Sequence, residues 1–187
     1  WMPFEFNIHY ENQAYYNGPL GNNFDYNYNL FLVEDSEWNI NFHNGKLWVF
    51  QFTKTETGFE DNLSIDASLE LIEWKYVLSM DNTVTYTFGE NLRIESLKDN
   101  FENTLSFTYN ENNQLTQITD SLERDYTLAY YDHTRLQNLT DFLGNTVNFE
   151  YYATGATDGS EYDLKTITTT NGEETKDISF SYTLWDD

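Results

Sequence analysis

A constant step of 21 residues runs through the second half of the chain and limits its fold more than any other feature. "NTVTYTF" starts at Asn82, "NTLSFTY" at Asn103, "RDYTLAY" at Arg124 and "NTVNFEY" at Asn145. The first apolar slot of each segment holds Val84, Leu105, Tyr126 and Val147. The second holds Tyr86, Phe107, Leu128 and Phe149, and the third holds Phe88, Tyr109, Tyr130 and Tyr151. Mainly polar residues such as Thr85, Ser106, Thr127 and Asn148 lie between them. This is the period-two pattern of a strand with one apolar face. The linkers keep the same step: Ile94, Leu115 and Leu136, then Leu97, Ile118 and Leu139, then Asp99, Asp120 and Asp141. A period of about 20 residues accommodates two strands and two turns, and one hairpin cannot bury its apolar face alone. The hairpins are therefore expected to stack, with in-phase aromatics side by side as cross-strand ladders. The step breaks after Tyr152 at "ATGATDGSEY", and further strands are expected in "DLKTITTT" and "DISFSYTLW".

Residues 1–81 lack this phase but alternate as strands do. "PFEFNIHY" places Phe4, Phe6, Ile8 and Tyr10 on one face. "YNGPLGNN" carries turn chemistry, and "FDYNYNLFLV" alternates again. "WNINF" and "KLWVFQF" flank His43, Asn44 and Gly45, and Asn-Gly between alternating runs predicts a hairpin. Residues Thr53 to Asp66 read as a loop. "LELIEWKYVL" fits a short helix or a strand, with Trp74, Tyr76 and Leu78 favouring a strand in its second half. Two regions follow: 1–81, of N-terminal hairpins, and 82–187, of 21-residue hairpin repeats. Tyr and Phe supply most of the 18% aromatic content, which favours pleated sheet surfaces. The fold class is all-β, with antiparallel hairpins stacked into a coiled strip.

Charge and composition exclude several functions. Nine Lys and Arg face 32 Asp and Glu, a net charge of −23, which repels nucleic-acid phosphates and anionic lipid. With no Cys there is no disulfide, thiol nucleophile or Cys-based zinc site. No apolar stretch approaches the roughly 18 residues of a membrane helix, so no membrane insertion is expected. The chain carries no signal-peptide pattern. It opens at Trp1 rather than Met, which points to a piece of a longer protein or a processed product.

No residue constellation predicts catalysis, a bound metal or a cofactor. His9, His43 and His133 have no HxH or HExxH spacing. "DGSEYD" (158–163) lacks the ligand spacing of a calcium loop and reads as a solvated turn, with cation binding as the lesser alternative. Asp99, Asp120 and Asp141 stand where strands end, as side chains that accept backbone N–H groups in turns. In-phase repetition favours that role, since an active site needs one constellation and not three copies. Tyr109, Tyr130 and Tyr151 read as core rungs, with a sugar-binding strip as the lesser alternative. Trp38, Trp48 and Trp74 are candidate stacking platforms for a carbohydrate.

The stretch "YNENNQLTQITDSLERDYTLAYYDHTRLQNLTDFLGNTVNFEYY" resembles the YD repeats of RHS proteins. "PFEFNIHYENQAYYNGPLGNNFDYNYN" and "NFHNGKLWVFQF" resemble the opening of an RHS core. The chain departs from the pattern at Asn110, which follows Tyr109 where the family has Asp. It departs again at Glu102 and Glu123, in the turn position that Gly144 keeps; the in-phase Tyr-Asp pair is Tyr131-Asp132. The resemblance implies a non-enzymatic segment of a hollow β-shell. Such shells enclose toxin domains in polymorphic toxins and toxin complexes, and carry adhesion domains in teneurins. It also implies a secreted or cell-surface protein. Its partners would be further repeats of the same chain, or other copies joined through strand edges, together with an enclosed toxin domain. The alternative is a secreted adhesin or carbohydrate-binding β-domain.

Overall fold

The computed structural model describes residues 2–61, 66–131 and 134–183. His133, Asp132 of the Tyr131-Asp132 pair and the last residues of "DISFSYTLW" lie outside them. All regular structure among the described residues is β. The N-terminal part holds β1 (Ile8–Tyr10), β2 (Asn17–Gly18), β3 (Gly21–Asn22), β4 (Phe24–Tyr26), β5 (Leu30–Glu34), β6 (Ile40–Asn44), β7 (Val49–Lys54) and β8 (Phe59–Asp61). Strands β5 to β8 form a four-stranded antiparallel sheet, β1 pairs with β4, and β2 pairs with β3. The expected loop at 53–66 is thus partly strand, because Phe59–Asp61 folds back on β7. The Asn-Gly hairpin forms with a longer connection, His43 pairing with Val49.

The rest of the chain builds one eleven-stranded antiparallel sheet in sequence order. It starts with β9 (Ala67–Ile72) and β10 (Lys75–Met80), and the repeats follow. These are β11 (Val84–Phe88), β12 (Ile94–Asp99), β13 (Thr104–Tyr109), β14 (Leu115–Asp120), β15 (Asp125–Tyr131), β16 (Arg135–Thr140) and β17 (Thr146–Tyr151). β18 (Leu164–Asn171) and β19 (Glu174–Ser179) complete it. "LELIEWKYVL" is a tight hairpin and not a helix. Glu73 and Trp74 both take positive φ, at 47° and 69°, the type I′ geometry that matches strand twist.

Strict alternation would put Ile94 and Leu97 on opposite faces of β12, yet both are buried. The pairing register explains how. Thr87 pairs with Ser96 and Phe88 with Ile94, which leaves Glu95 as an extra residue, a β-bulge. The bulge recurs at Thr116, Gln137 and Lys165. It turns Leu115 with Ile118, Leu136 with Leu139, and Leu164 with Ile167 to the same buried side.

The in-phase aromatics are not direct neighbours, contrary to the ladder expected from sequence. One 21-residue unit contains two strands, so a full step crosses about 10 Å of sheet rather than the 4.7–4.9 Å between adjacent strands. An aliphatic rung stands between each pair. Tyr86 faces Leu97, Phe107 faces Ile118 and Leu128 faces Leu139.

The apolar face is covered by the N-terminal region, and the two regions share one core. Phe4 stacks on Tyr126 with ring centroids 3.7 Å apart, and Phe6 reaches Phe149 at 6.2 Å. Tyr28 meets Phe107 at 5.8 Å, and Phe42 meets Phe88 at 5.7 Å. Each large apolar side chain buried here contributes about 1.5–3 kcal/mol. The short β2–β3 hairpin is clasped to the loop before β18. Gly21 (φ 90°) has no room for a Cβ, which would lie 2.3 Å from the Tyr162 carbonyl oxygen. Asn22 donates to the buried Asp163 carboxylate at 2.7 Å. "DGSEYD" is therefore a docking clasp at its end, not a wholly solvated turn.

Candidate functional site

The repeat positions sit on the covered face. Phe88, Phe107, Leu128 and Phe149 are buried, and Tyr86, Tyr109, Tyr130 and Tyr151 are partly buried against the same core. The Tyr130 hydroxyl donates to the Leu115 carbonyl at 3.0 Å. Tyr151 donates to Leu136 at 2.8 Å and also reaches Pro19 at 3.1 Å. These rings pin each strand to the one before it.

Asp99, Asp120 and Asp141 organise three-residue hairpin turns. Oδ1 of Asp99 accepts the N–H groups of Phe101 and Asn103 at 2.8 and 2.9 Å. Asp120 does the same for Leu122 and Arg124, and Asp141 for Leu143 and Asn145. The other oxygen takes the side chain four residues on: Asn103, the Arg124 guanidinium at 2.6 Å, or Asn145. For Asp99 the Asn103 hydrogen bond leads in holding its pKa below the usual carboxylate range. Burial pushes Asp120 and Asp141 up, and their hydrogen bonds outweigh it.

The same turn closes other hairpins that sequence reading did not connect. Asp35 binds the N–H groups of Glu37 and Asn39, Asn44 those of Lys46 and Trp48, and Asn110 those of Asn112 and Gln114. Gly89–Arg93 follows the same backbone path. The fourth residue of every copy is left-handed: Trp38, Leu47, Leu92, Glu102, Asn113, Glu123 and Gly144 have φ between 57° and 85°. Gly144 alone of these escapes the Cβ penalty.

Trp38, Trp48 and Trp74 are exposed, each in a turn. Trp38 and Trp48 stand at opposite ends of β6, so the three indoles do not form one platform. His43 lies in β6 stacked on Phe31 at 4.2 Å, and burial lowers its pKa. His9 is in β1. No group of three or more His, Asp or Glu able to hold a metal occurs among the described residues.

A cavity of about 360 Å³ opens where the N-terminal layer meets the repeats. Its walls include Tyr16, Arg93, Tyr109, Gln114, Tyr130 and Arg135. Tyr26 lines it too, and burial raises Tyr26 well above its ordinary pKa and Tyr130 to about 12. Nothing in the sequence flagged this cluster, because its members come from separate strands and turns. Their only local signal is that two of the nine cations belong to it.

At the far end of the sheet β19 is exposed along its whole length. Ile178 pairs with the buried Ile167 but is itself 59% exposed, because the covering layer stops short of it. Among the described residues β19 has one sheet neighbour, and its other side is an open edge. No model of a known protein family matches the chain, and no curated protein matches it.

Proposed function

We propose that this chain is a non-enzymatic structural segment of an RHS/YD-type β-shell, working outside the cell or at its surface. The observation that carries the reading is the hairpin unit itself. Its apolar slots, its bulge and its Asp-headed turn recur in phase along one open sheet. Such a sheet lengthens by adding hairpins, and each added unit covers the edge left by the last. β19 fits this role, since it offers unpaired backbone groups together with an uncovered Ile178 on the core side. The strands that continue it are further repeats, and the compartment they enclose would hold a cargo such as a toxin domain.

Edge competence is the testable consequence. In sedimentation velocity over a wide concentration range, the chain self-associates through β19. Ile178→Lys, a charge on the open edge, leaves it monomeric with unchanged thermal stability. A wild-type chain that stays monomeric throughout contradicts the wall-segment reading.

A further inference from the structure

Trp48 stands apart from the other exposed indoles but shares a groove of about 550 Å³ with Tyr10. The two rings are 63% and 52% exposed, so each offers a flat apolar surface to solvent. Both are held from behind. Tyr10, at the end of β1, rests on the Phe24 ring with centroids 4.7 Å apart. Trp48 closes the turn headed by Asn44, whose Oδ1 accepts the Lys46 N–H at 2.9 Å and the Trp48 N–H at 3.3 Å. That turn is pressed against the strand pair that carries Tyr10. A Cβ on Gly45 would lie 2.4 Å from the carbonyl oxygen of Tyr26, which pairs with Ile8 of β1. Glu11 and Lys46 also line the groove, and both are exposed. Among the described residues neither forms an ion pair, although their charges are opposite. His9 lines it as well. Burial, then the Lys46 ammonium, lowers the His9 pKa, so the imidazole adds no charge at neutral pH.

We propose that this groove binds a neutral saccharide, its pyranose rings laid on Trp48 and Tyr10 and its hydroxyls bonded to Glu11 and Lys46. The volume falls within the ordinary range of ligand pockets, about 300–1,000 Å³. Charge selects the ligand. Lys46 repels an organic cation, and Glu11 together with the net charge of −23 repels an anion. Exposed ion pairs contribute only about 0–1 kcal/mol each. A zwitterion therefore gains little here, and most of the affinity has to come from the ring faces. The C–H face of a pyranose covers an aromatic ring and buries apolar surface on both sides of the contact. Each sugar hydroxyl can donate to the Glu11 carboxylate or accept from the Lys46 ammonium. A polyhydroxylated ring thus uses both charges without carrying one.

The test is isothermal titration calorimetry of the full chain with cellobiose and with lactose. Heat is read in place of Tm, because sugars at high concentration stabilise folded chains generally by exclusion from their surface. The expected result is a saturable isotherm with at least one of the two disaccharides. Trp48→Ala and Tyr10→Ala each weaken the apparent Kd by about tenfold, the loss of one stacked ring. Trp38→Ala, which removes an indole 66% exposed at the other end of β6, leaves the Kd unchanged. All three side chains are exposed, and an unchanged circular dichroism spectrum shows that each variant folds. Choline, acetate and glycine serve as cationic, anionic and zwitterionic probes and bind more weakly than the sugar. Four results overturn the proposal: no saturable heat with either disaccharide, a wild-type Kd in Trp48→Ala, the same loss in Trp38→Ala as in Trp48→Ala, or tighter binding of any charged probe than of the sugar.

Discussion

Replacing Asp25 with Asn should make the protein more stable at neutral pH and above. Asp25 is 2% exposed, in β4 of the N-terminal layer. One carboxyl oxygen accepts both the Tyr26 N–H at 2.9 Å and Asn29 Nδ2 at 2.8 Å. Burial pushes its pKa from 3.8 up to about 7, the two hydrogen bonds pulling only partly back. The folded state thus holds this proton more tightly than the unfolded chain does. Stability is lost as pH rises from about 4 to about 7, where the unfolded carboxyl has given up its proton and the folded one still holds it, and the loss is complete once the folded carboxyl ionises. A shift of about 3 units at 1.36 kcal/mol per unit is a loss of about 4 kcal/mol. Asn keeps an oxygen for the same two donors and carries no charge. Urea unfolding of both chains at about pH 4.5 and about pH 8 measures the effect. The advantage of Asp25→Asn over wild type should grow by about 3–4 kcal/mol between the two pH values. Both chains share every other carboxylate, so general charge repulsion largely cancels in the difference. A difference that does not change with pH refutes the reasoning.

The Asp-headed turns should differ in strength. Asp120→Ala removes a carboxylate partner of the Arg124 guanidinium together with the turn acceptor and should cost about 3 kcal/mol, more than Asp99→Ala, whose acceptor serves only neutral donors. Equal losses on thermal denaturation would show that Arg124 adds nothing. The left-handed turn position should also respond to glycine. Glu123→Gly, on an exposed side chain, should stabilise by about 0.5–1 kcal/mol, while Gly144→Ala should destabilise by about 1–2 kcal/mol. A stabilising Gly144→Ala would mean that backbone strain at this position is not what limits the turn.

The parts of the fold legible in the sequence were local ones. Alternation marked the apolar face of each repeat strand, and the 21-residue step marked the repeat. Asp at the end of a strand marked a turn, because its side chain bonds to backbone only two and four residues away. The Glu73-Trp74 turn was hidden for the complementary reason. It contains no glycine, and only the pairing of Lys75–Met80 with Ala67–Ile72 holds two ordinary residues at positive φ. The bulges could be read only afterwards, from the three-residue spacing of Ile94 and Leu97.

What the sequence by itself determined is which side chains share a face and where the chain turns, since both depend on residues within a few positions of each other. The tertiary structure alone decided that the N-terminal region covers that face, that Trp38 and Trp48 stand apart, and that Arg93, Gln114 and Arg135 share a cavity with Tyr16. Those outcomes join segments far apart in the chain. They depend on shape and burial between whole layers, and strand periodicity carries no record of which layer will arrive from elsewhere.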